Sequence, residues 1–166
     1  RHFRMALQRG VDGVSALTLI APERVVSASV EGNFSVVTLG SGRRLKASLV
    51  VAADGRDSPL REAAGIKTVG WSYKQTGIVA TIGHEKPHDG TAYELFFGSG
   101  PFAILPMTGN RSSIVWSERA DQAGAFVQLD DAAFLGEVAQ RFGDQWGALA
   151  LEGPRWAYPL SMHLAM

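Results

Sequence analysis

Cysteine is absent from the 166-residue chain. Its absence excludes disulfides, thiolate metal sites and cysteine nucleophiles together. Net charge is absent as well, because 16 Lys and Arg residues balance 16 Asp and Glu residues. No electrostatic attraction to nucleic acid is therefore expected. Long apolar runs are also missing, since none approaches the roughly 18 residues that a membrane-spanning helix needs.

A complete dinucleotide-binding glycine loop is the next missing feature. The two short candidates, Gly40-Ser41-Gly42 and Gly98-Ser99-Gly100, lack the third glycine of G-x-G-x-x-G, and neither opens a predicted helix. What the chain does have is a composition typical of a folded domain, with 46% hydrophobic and 19% charged residues. We therefore expect a globular structure with a sizeable core.

The rest of the chain is organised around the stretch from Leu49 to Ile66. Residues 49–53 are apolar and partly β-branched, which predicts a short buried strand. Asp54 and Gly55 interrupt this run and predict a tight turn. Ser58 precedes a proline and predicts the N-cap of a helix. This order would place a carboxylate at the carboxyl end of a sheet, which is where open α/β sheets bind ligands.

Hydrophobic periodicity predicts the remaining elements. Most of them are strands joined by short turns, which indicates antiparallel neighbours. The predicted strands cover residues 14–20, 24–30, 34–39, 44–53, 71–82, 91–97, 102–107, 111–117 and 155–164. The predicted helices cover residues 1–9 and 131–142, and Asp130 is the expected N-cap of the second.

The segment from Ala53 to Arg61 fits the pattern A-D-G-x-x-S-x-x-R and resembles the second flavin motif of FAD-dependent aromatic hydroxylases. Four further motifs follow in the order seen in the ubiquinone-biosynthesis hydroxylases of that group. They are Trp71-Ser72-Tyr73-Lys74-Gln75, Ala92-Tyr93-Glu94-Leu95-Phe96, the run from Gly100 to Pro106, and Tyr158-Pro159-Leu160. The resemblance covers nearly the whole chain.

This resemblance implies a mixed α/β and α+β fold, namely an internal fragment of the flavin-monooxygenase fold that p-hydroxybenzoate hydroxylase represents. Residues 1–66 would be part of a Rossmann-like FAD-binding domain. Residues 67–152 would form an antiparallel substrate-binding sheet with a helix, and residues 153–166 a strand that returns to the FAD domain. Because the chain starts at Arg1 and stops inside a predicted strand, we expect both ends of such an enzyme to be missing.

The resemblance also implies a function. The intact protein would be an FAD-dependent monooxygenase that hydroxylates a polyprenylated phenol in ubiquinone biosynthesis, with NAD(P)H or another electron donor as reductant. It would be cytoplasmic, peripheral to the inner membrane and associated with a biosynthetic complex, with no metal and no nucleic acid. The fragment alone is expected to be inactive. Two alternatives stay open: another flavin-fold oxidoreductase, such as a prenyl reductase or halogenase, and a non-catalytic domain that binds an apolar ligand.

Four residues are the expected cofactor contacts, and no catalytic side chain is assigned. In the resembled family the aspartate that matches Asp54 positions the ribitol–pyrophosphate part of FAD. Gly55 would allow close backbone approach, Ser58 would cap the helix, and Arg61 would brace the turn or face the cofactor. The competing interpretation is a turn aspartate that only caps neighbouring backbone N–H groups.

Aromatic residues recur along the predicted strands, where cross-strand packing is their ordinary role. The family resemblance implies that a subset of them lines a slot for the phenol ring and its prenyl tail. Relatives usually have Glu-Arg-Phe where this chain has Glu94-Leu95-Phe96. The missing arginine argues against a pocket role at that position. The aromatic set is Trp71, Tyr73, Tyr93, Phe96, Phe102 and Trp116.

The segment from His84 to His88 matches the zinc-protease motif H-E-x-x-H. That chemistry requires both histidines on one face of a sustained helix. Here a β-branched strand precedes the motif, Pro87 lies inside it and Gly90 follows closely. We therefore predict a hairpin loop and no metal site.

Overall fold

The computed structural model describes residues 2–166. These residues form two compact units: the first comprises the chain up to Lys67 with Ala165 and Met166, and the second comprises Thr68–Leu164. The helices are α1 His2–Asp12, α2 Pro59–Ala63, α3 Ala120–Gln128 and α4 Asp131–Phe142, with a short 3₁₀ helix at Asp144–Trp146. The strands are β1 Val25–Glu31, β2 Phe34–Leu39, β3 Arg44–Ala47, β4 Thr68–His84, β5 Tyr93–Phe97, β6 Gly100–Met107, β7 Arg111–Arg119, β8 Leu149–Leu151 and β9 Trp156–Ala165.

The first unit contains a three-stranded antiparallel meander in the order β1-β2-β3. Its first turn contains Gly32 at a φ of +61°, a conformation that glycine adopts without steric cost. The central strand contributes the buried side chains Val36, Val37 and Leu39. The three strands predicted at residues 24–30, 34–39 and 44–53 are therefore present as antiparallel neighbours, although β3 ends at Ala47, six residues earlier than the predicted end at residue 53.

Two strand predictions in the first unit are wrong. Residues 14–20 form turns and irregular backbone, and residues 49–53 are an unpaired extended segment. Leu49 is 76% exposed and Val51 is 78% exposed, so the apolar run is not buried. An apolar run indicates a tendency to be buried, but a strand also needs a hydrogen-bonding neighbour. Within residues 2–166 no strand pairs with this segment, and the strand registers resolved there are all antiparallel.

The second unit is built on a sheet in the order β5-β6-β7-β4-β8, with β9 also paired to β4. One face of this sheet packs against α3 and α4, because the register aligns Ile78, Trp116 and Phe102 across three strands on that face. Burial of such large side chains is the main stabilising contribution to folding. The core comprises Ile78, Ala80, Ile82, Phe102, Ile104, Ile114, Trp116, Ala123, Phe134, Val138, Phe142 and Trp146.

Helix α4 follows its prediction, and α3 was not predicted. The Asp130 carboxylate accepts a hydrogen bond from the Ala133 N–H at 2.8 Å, and Gly143 follows the last helical residue at a φ of +78°. Helix α3 begins after Arg119, whose side chain makes no capping bond, and only Ala123 of this helix is fully buried. It therefore lacks the side-chain cap that marks the start of a helix in a sequence, although Ala123, Phe126 and Val127 pack in or against the core at i, i+3 and i+4 spacing.

Candidate functional site

The turn after residue 53 is held by short-range contacts to the start of α2. The Ser58 hydroxyl oxygen accepts a hydrogen bond from the Arg61 N–H at 3.0 Å, which confirms the predicted N-cap. The Asp54 carboxylate lies 3.5 Å from the backbone nitrogen of Leu60, which donates to it. Gly55 has a φ of +91°, and an added Cβ would meet no heavy atom within 4 Å. Glycine is needed here for its backbone conformation, and its outer side is open.

Arg61 contacts the same turn. Its Nη1 donates to the Arg56 carbonyl oxygen at 2.6 Å, so the side chain braces the turn from within. Its Nε is buried and has no hydrogen-bond partner among the described residues. A buried guanidinium N–H without an acceptor is costly, and such a group is satisfied when an oxygen-rich ligand binds beside it.

These side chains surround one open cleft of about 300 Å³. Ser58 is almost completely buried, with 4% of its surface exposed, whereas Asp54 is exposed to solvent at the cleft. The structure therefore brings the four sequence-predicted residues together. The cleft is lined by Ala52, Asp54, Gly55, Ser58, Leu60, Arg61, Ala64 and Ile66.

The Asp54 carboxylate is stabilised in its ionised form. A hydrogen bond from the Ser58 hydroxyl is the main reason that its pKa lies below the ordinary value, and the Leu60 N–H and the positive charge of Arg61 act in the same direction. An ionised carboxylate accepts hydrogen bonds and donates none. Asp54 is therefore suited to receive hydroxyl groups of a sugar or of a ribitol chain.

One expectation about Asp54 is wrong. The residue does not follow a paired parallel strand, because the segment before it is unpaired in the described part of the chain. It is also not enclosed by its own neighbours, since it borders an open cleft. The local turn chemistry was predictable from the sequence, and the sheet expected beneath it is not formed by residues 2–166.

The second unit has a second sheet face, opposite to the helices. Side chains alternate between the two faces of a strand, so the register that pairs Val79 with Val115 and Val115 with Ala103 places these residues on the face away from α3 and α4. All three are only partly buried. These three residues form an apolar patch on this open sheet face, which also carries Thr81 and Ser113.

The aromatic residues divide between these faces. Phe102 and Trp116 are fully buried in the core, whereas Phe96 is 80% exposed. The rings of Trp71 and Tyr73 contact each other edge to face at 6.5 Å between centroids, and both remain about half exposed. Only the exposed subset could line a ligand slot.

Leu95 packs against the core on the helix side of the sheet. Its neighbours Glu94 and Phe96 therefore lie on the opposite side. The position where relatives usually have arginine thus faces the core in this chain, which argues against a pocket role for it.

A polar cleft of about 540 Å³ in the second unit was not predicted. It lies where β4 passes β7 and the turn between β5 and β6. Its lining residues are Tyr73, Lys74, Gln75, Gly98, Ser99, Arg119, Ala120 and Asp121. One of these lining residues, Lys74, has a φ of +55°. This is a backbone property that composition and periodicity do not reveal.

The H-E-x-x-H segment is the loop that follows β4. The ring nitrogens of His84 lie 2.7 Å from the Lys86 carbonyl oxygen and 3.1 Å from the Ser112 hydroxyl. The Nε2 of His88 lies 2.8 Å from the Met107 carbonyl oxygen. Both imidazoles are thus engaged in hydrogen bonds that fix the loop. In the part of the chain that the structure describes, no group of three or more His, Cys, Asp or Glu side chains could hold a metal ion.

Comparison with known protein families identifies the family to which this chain belongs. The model of the family described as "FAD binding domain" matches residues 23–152, which is most of the chain. The chain belongs to the FAD-binding-domain family. This membership confirms the expected cofactor, FAD, and the predicted family resemblance.

Relatives within the FAD-binding-domain family include ubiquinone hydroxylases. Ubiquinone hydroxylase UbiL of Rhodospirillum rubrum is 43% identical over 165 residues, which are 99% of this chain and 38% of that protein. The mitochondrial ubiquinone biosynthesis monooxygenase COQ6 of Mus musculus is 33% identical over 147 residues, which are 82% of this chain and 31% of that protein. The chain thus spans less than half the length of these curated relatives.

Among solved structures, pqsL, a probable FAD-dependent monooxygenase from Pseudomonas aeruginosa, is similar with a TM-score of 0.70 and 18% identity. The likeness covers 91% of this chain and 46% of that one. At this identity the likeness shows the fold alone, and it confirms the predicted flavin-monooxygenase fold.

The cleft at Asp54 has the chemistry that part of an FAD molecule requires. The partnerless Nε of Arg61 is a cationic donor suited to phosphate or ribitol oxygens, and the ionised Asp54 is an acceptor suited to hydroxyl groups. The open side of Gly55 lets a ligand approach the backbone. At about 300 Å³ the cleft has room for only part of so large a cofactor.

Proposed function

We propose that this chain is part of an FAD-dependent monooxygenase that hydroxylates a polyprenylated phenol in ubiquinone biosynthesis. The observation that carries the proposal is the 43% identity to a ubiquinone hydroxylase along 99% of the chain, within a matched FAD-binding family. The activity belongs to the whole protein, because the chain covers only 38% of that relative.

The first unit would hold part of the FAD. Asp54 would accept hydrogen bonds from ribitol hydroxyls, Gly55 would allow close backbone approach, and Ser58 would keep the Asp54 carboxylate ionised. The Nε of Arg61 would donate to a cofactor oxygen while its Nη1 braces the turn. Bound FAD supplies the redox chemistry that activates molecular oxygen, with NAD(P)H or another donor as reductant.

The second unit would hold the substrate. Its open sheet face, with Val79, Ala103 and Val115 at its centre, offers an apolar wall of the kind that binds a phenol ring and prenyl tail. An apolar wall also excludes water from a reacting ring. The exposed aromatic residues beside it, Phe96 among them, would extend this surface.

We also propose that the protein works at the surface of the inner membrane, within a biosynthetic assembly. In the described part of the chain no helix combines the length and apolar character needed to cross a membrane. A polyprenylated phenol partitions into the bilayer, so an enzyme that binds it must reach the membrane from one side. A flotation assay of the full-length protein with vesicles of inner-membrane lipid composition tests this part separately.

The test of the main proposal uses the full-length protein. Purified protein should retain FAD and, with NAD(P)H and its partner reductases, should transfer an atom of isotopically labelled molecular oxygen to a prenylated phenol. Asp54→Ala should weaken FAD retention by about tenfold or more, because an acceptor at the cofactor is lost. Asp57→Ala is the matched control, since Asp57 is another exposed carboxylate of the same turn and does not line the cleft.

Two outcomes would contradict the proposal. Full-length protein that neither retains FAD nor labels a phenol would refute the assigned activity. Equal FAD retention by Asp54→Ala, Asp57→Ala and the unaltered protein would refute the role of Asp54 and leave the assigned activity to be judged by oxygen transfer alone.

A further inference from the structure

Asp-Gly bonds occur at three places in the chain, namely Asp12-Gly13, Asp54-Gly55 and Asp89-Gly90. Such a bond is prone to a spontaneous reaction, because glycine has no side chain to shield its backbone nitrogen from the carboxyl group of the preceding aspartate. Attack of that nitrogen on the carboxyl carbon gives a cyclic imide. When water reopens the imide, the chain continues through the aspartate side chain as isoaspartate. The surroundings of each bond decide whether it reacts.

Two of the three bonds are held away from this reaction. The Asp12 carboxylate accepts a hydrogen bond from the Gln8 amide at 3.1 Å, and a Cβ at Gly13 would lie 3.6 and 3.7 Å from two backbone carbonyl oxygens. The Ser58 hydroxyl donates to the Asp54 carboxylate and lowers the pKa of that group. An ionised carboxylate is a poor target for a nucleophile, because its oxygen must gain protons before it leaves as water.

The third bond lies in an open turn between β4 and β5. Asp89 has a φ of +50° and Gly90 a φ of +72°, and the Thr91 N–H donates to the His88 carbonyl oxygen at 2.9 Å. Positive φ at both central positions is typical of a type I′ turn. Asp89 is exposed and forms no ion pair within residues 2–166. A Cβ at Gly90 would meet no heavy atom within 4 Å, so the turn has room for ring closure.

His88 provides a base at the nitrogen that would attack. The Gly90 N–H donates to the His88 Nδ1 at 2.9 Å. The other ring nitrogen, Nε2, lies 2.8 Å from the Met107 carbonyl oxygen and 3.0 Å from that of Gly109. Because carbonyl oxygens only accept hydrogen bonds, Nε2 carries the ring proton and Nδ1 is the basic nitrogen. A general base acts from about 2.6–3.2 Å, and Nδ1 meets that condition.

We propose that Asp89-Gly90 is a site of isoaspartate formation in the folded protein, with His88 as the base that takes the proton of the Gly90 nitrogen. A bond forms between this nitrogen and the Asp89 Cγ, and a Cγ–O bond breaks. The oxygen leaves as water, with one proton from solvent and one that His88 passes on from Gly90. Water then opens the imide at the main-chain carbonyl of Asp89, which releases one proton and leaves the backbone running through Cβ and Cγ. This chemistry requires no metal, cofactor or oxidant.

The product has a structural consequence. One extra backbone carbon separates His88 from Thr91, so the hydrogen bond that closes the turn is no longer in register. His88 is also the residue that ties this loop to the turn between β6 and β7. The modification therefore loosens the link between these two loops.

The test incubates the full-length protein at neutral pH and physiological temperature. Peptide mapping, with a mass spectrometric fragmentation that separates isoaspartate from aspartate, measures the product at each Asp-Gly bond. Isoaspartate at Asp89 should exceed that at Asp12 and at Asp54 by about tenfold or more, because only Asp89 has a base at the attacking nitrogen. A urea-unfolded sample is the reference, since without the fold only sequence neighbours distinguish the three bonds.

A substitution at the base tests its role separately. His88→Asn keeps a side-chain acceptor for the Gly90 N–H but is not a base. It should lower the rate of isoaspartate formation at Asp89 by about tenfold in the folded protein and leave the rate in urea unchanged. His163→Asn, at an exposed histidine of β9, should have no effect. Native tryptophan fluorescence verifies that both variants are folded.

Two results would overturn the inference. One is an equal amount of isoaspartate at the three Asp-Gly bonds of the folded protein. The other is an unchanged rate at Asp89 in folded His88→Asn. Neither measurement depends on FAD content or oxygen transfer, so the proposed function is judged separately.

Discussion

Gly100→Ala tests the packing of the second unit most directly. The glycine has a φ of +142°, and an added Cβ would lie 2.9 Å from the Cβ of Ser117, 3.0 Å from the Nε2 of Gln75 and 3.2 Å from the Ser117 carbonyl oxygen. Overpacking costs about 1–3 kcal/mol and a backbone conformation unfavourable for alanine about 1–3 kcal/mol, so we expect a loss of about 2–6 kcal/mol in unfolding free energy.

The assay is urea unfolding followed by tryptophan fluorescence. The chain has 4 tryptophans, and Trp71, Trp116, Trp146 and Trp156 all lie in the second unit. Fluorescence therefore reports the unfolding of that unit. Gly98→Ala is the matched control in the same turn, because its Cβ would meet no heavy atom within 4 Å. Its expected change is within about 0.5 kcal/mol.

A difference of less than about 1 kcal/mol between the two variants would refute the close approach of the turn to β7. An equal loss of unfolding free energy in Gly98→Ala would also refute this close approach, because any glycine-to-alanine change in the turn would then have the same cost.

Three further predictions follow from single contacts. Asp130→Ala should lower the unfolding free energy by about 1 kcal/mol because α4 loses its cap, and Asp130→Ser should restore most of it in the same urea assay. Phe134→Ala should cost about 3–5 kcal/mol, since the ring is fully buried, whereas removal of the exposed Phe96 ring should cost much less. Ser58→Ala should raise the pKa of Asp54, seen by NMR titration of its carboxyl group. Because the pKa of Asp54 is depressed in the folded protein, the stability that this carboxylate contributes is present above the unfolded pKa of aspartate and is lost as pH falls through the folded value. An unchanged titration of Asp54 in Ser58→Ala would contradict the Ser58 contact.

The elements that were predictable from the sequence are those with a complete local signal. Helix α4 begins after Asp130 and ends before Gly143, as the cap and stop residues indicate. The Ser58 cap and the turn at Gly55 were also predicted, because their hydrogen bonds and backbone angles depend only on residues close in sequence. The same holds for Asp54, Gly55 and Arg61, which a nine-residue motif brings to one cleft.

The features that were missed depend on distant partners. The run at residues 49–53 has the composition of a buried strand, but whether it pairs is decided by chain that lies elsewhere in the fold. Helix α3 has no side-chain cap that would mark its start in the sequence. Lys74 has a left-handed φ that lysine rarely adopts, so residue preference does not predict this conformation.

The two units differ in how completely they cover their apolar side chains, and this difference bears on cofactor binding. The second unit encloses a continuous core, whereas the first leaves Leu49 and Val51 largely exposed. Apolar burial is the dominant favourable contribution to folding, so the first unit depends more on what binds to it. A ligand that binds only the folded form adds stability of about 2.7 kcal/mol at a hundredfold excess over its Kd. FAD bound at the Asp54 cleft would therefore stabilise the unit with the smaller core, and the cofactor would act as part of the fold as well as part of the chemistry.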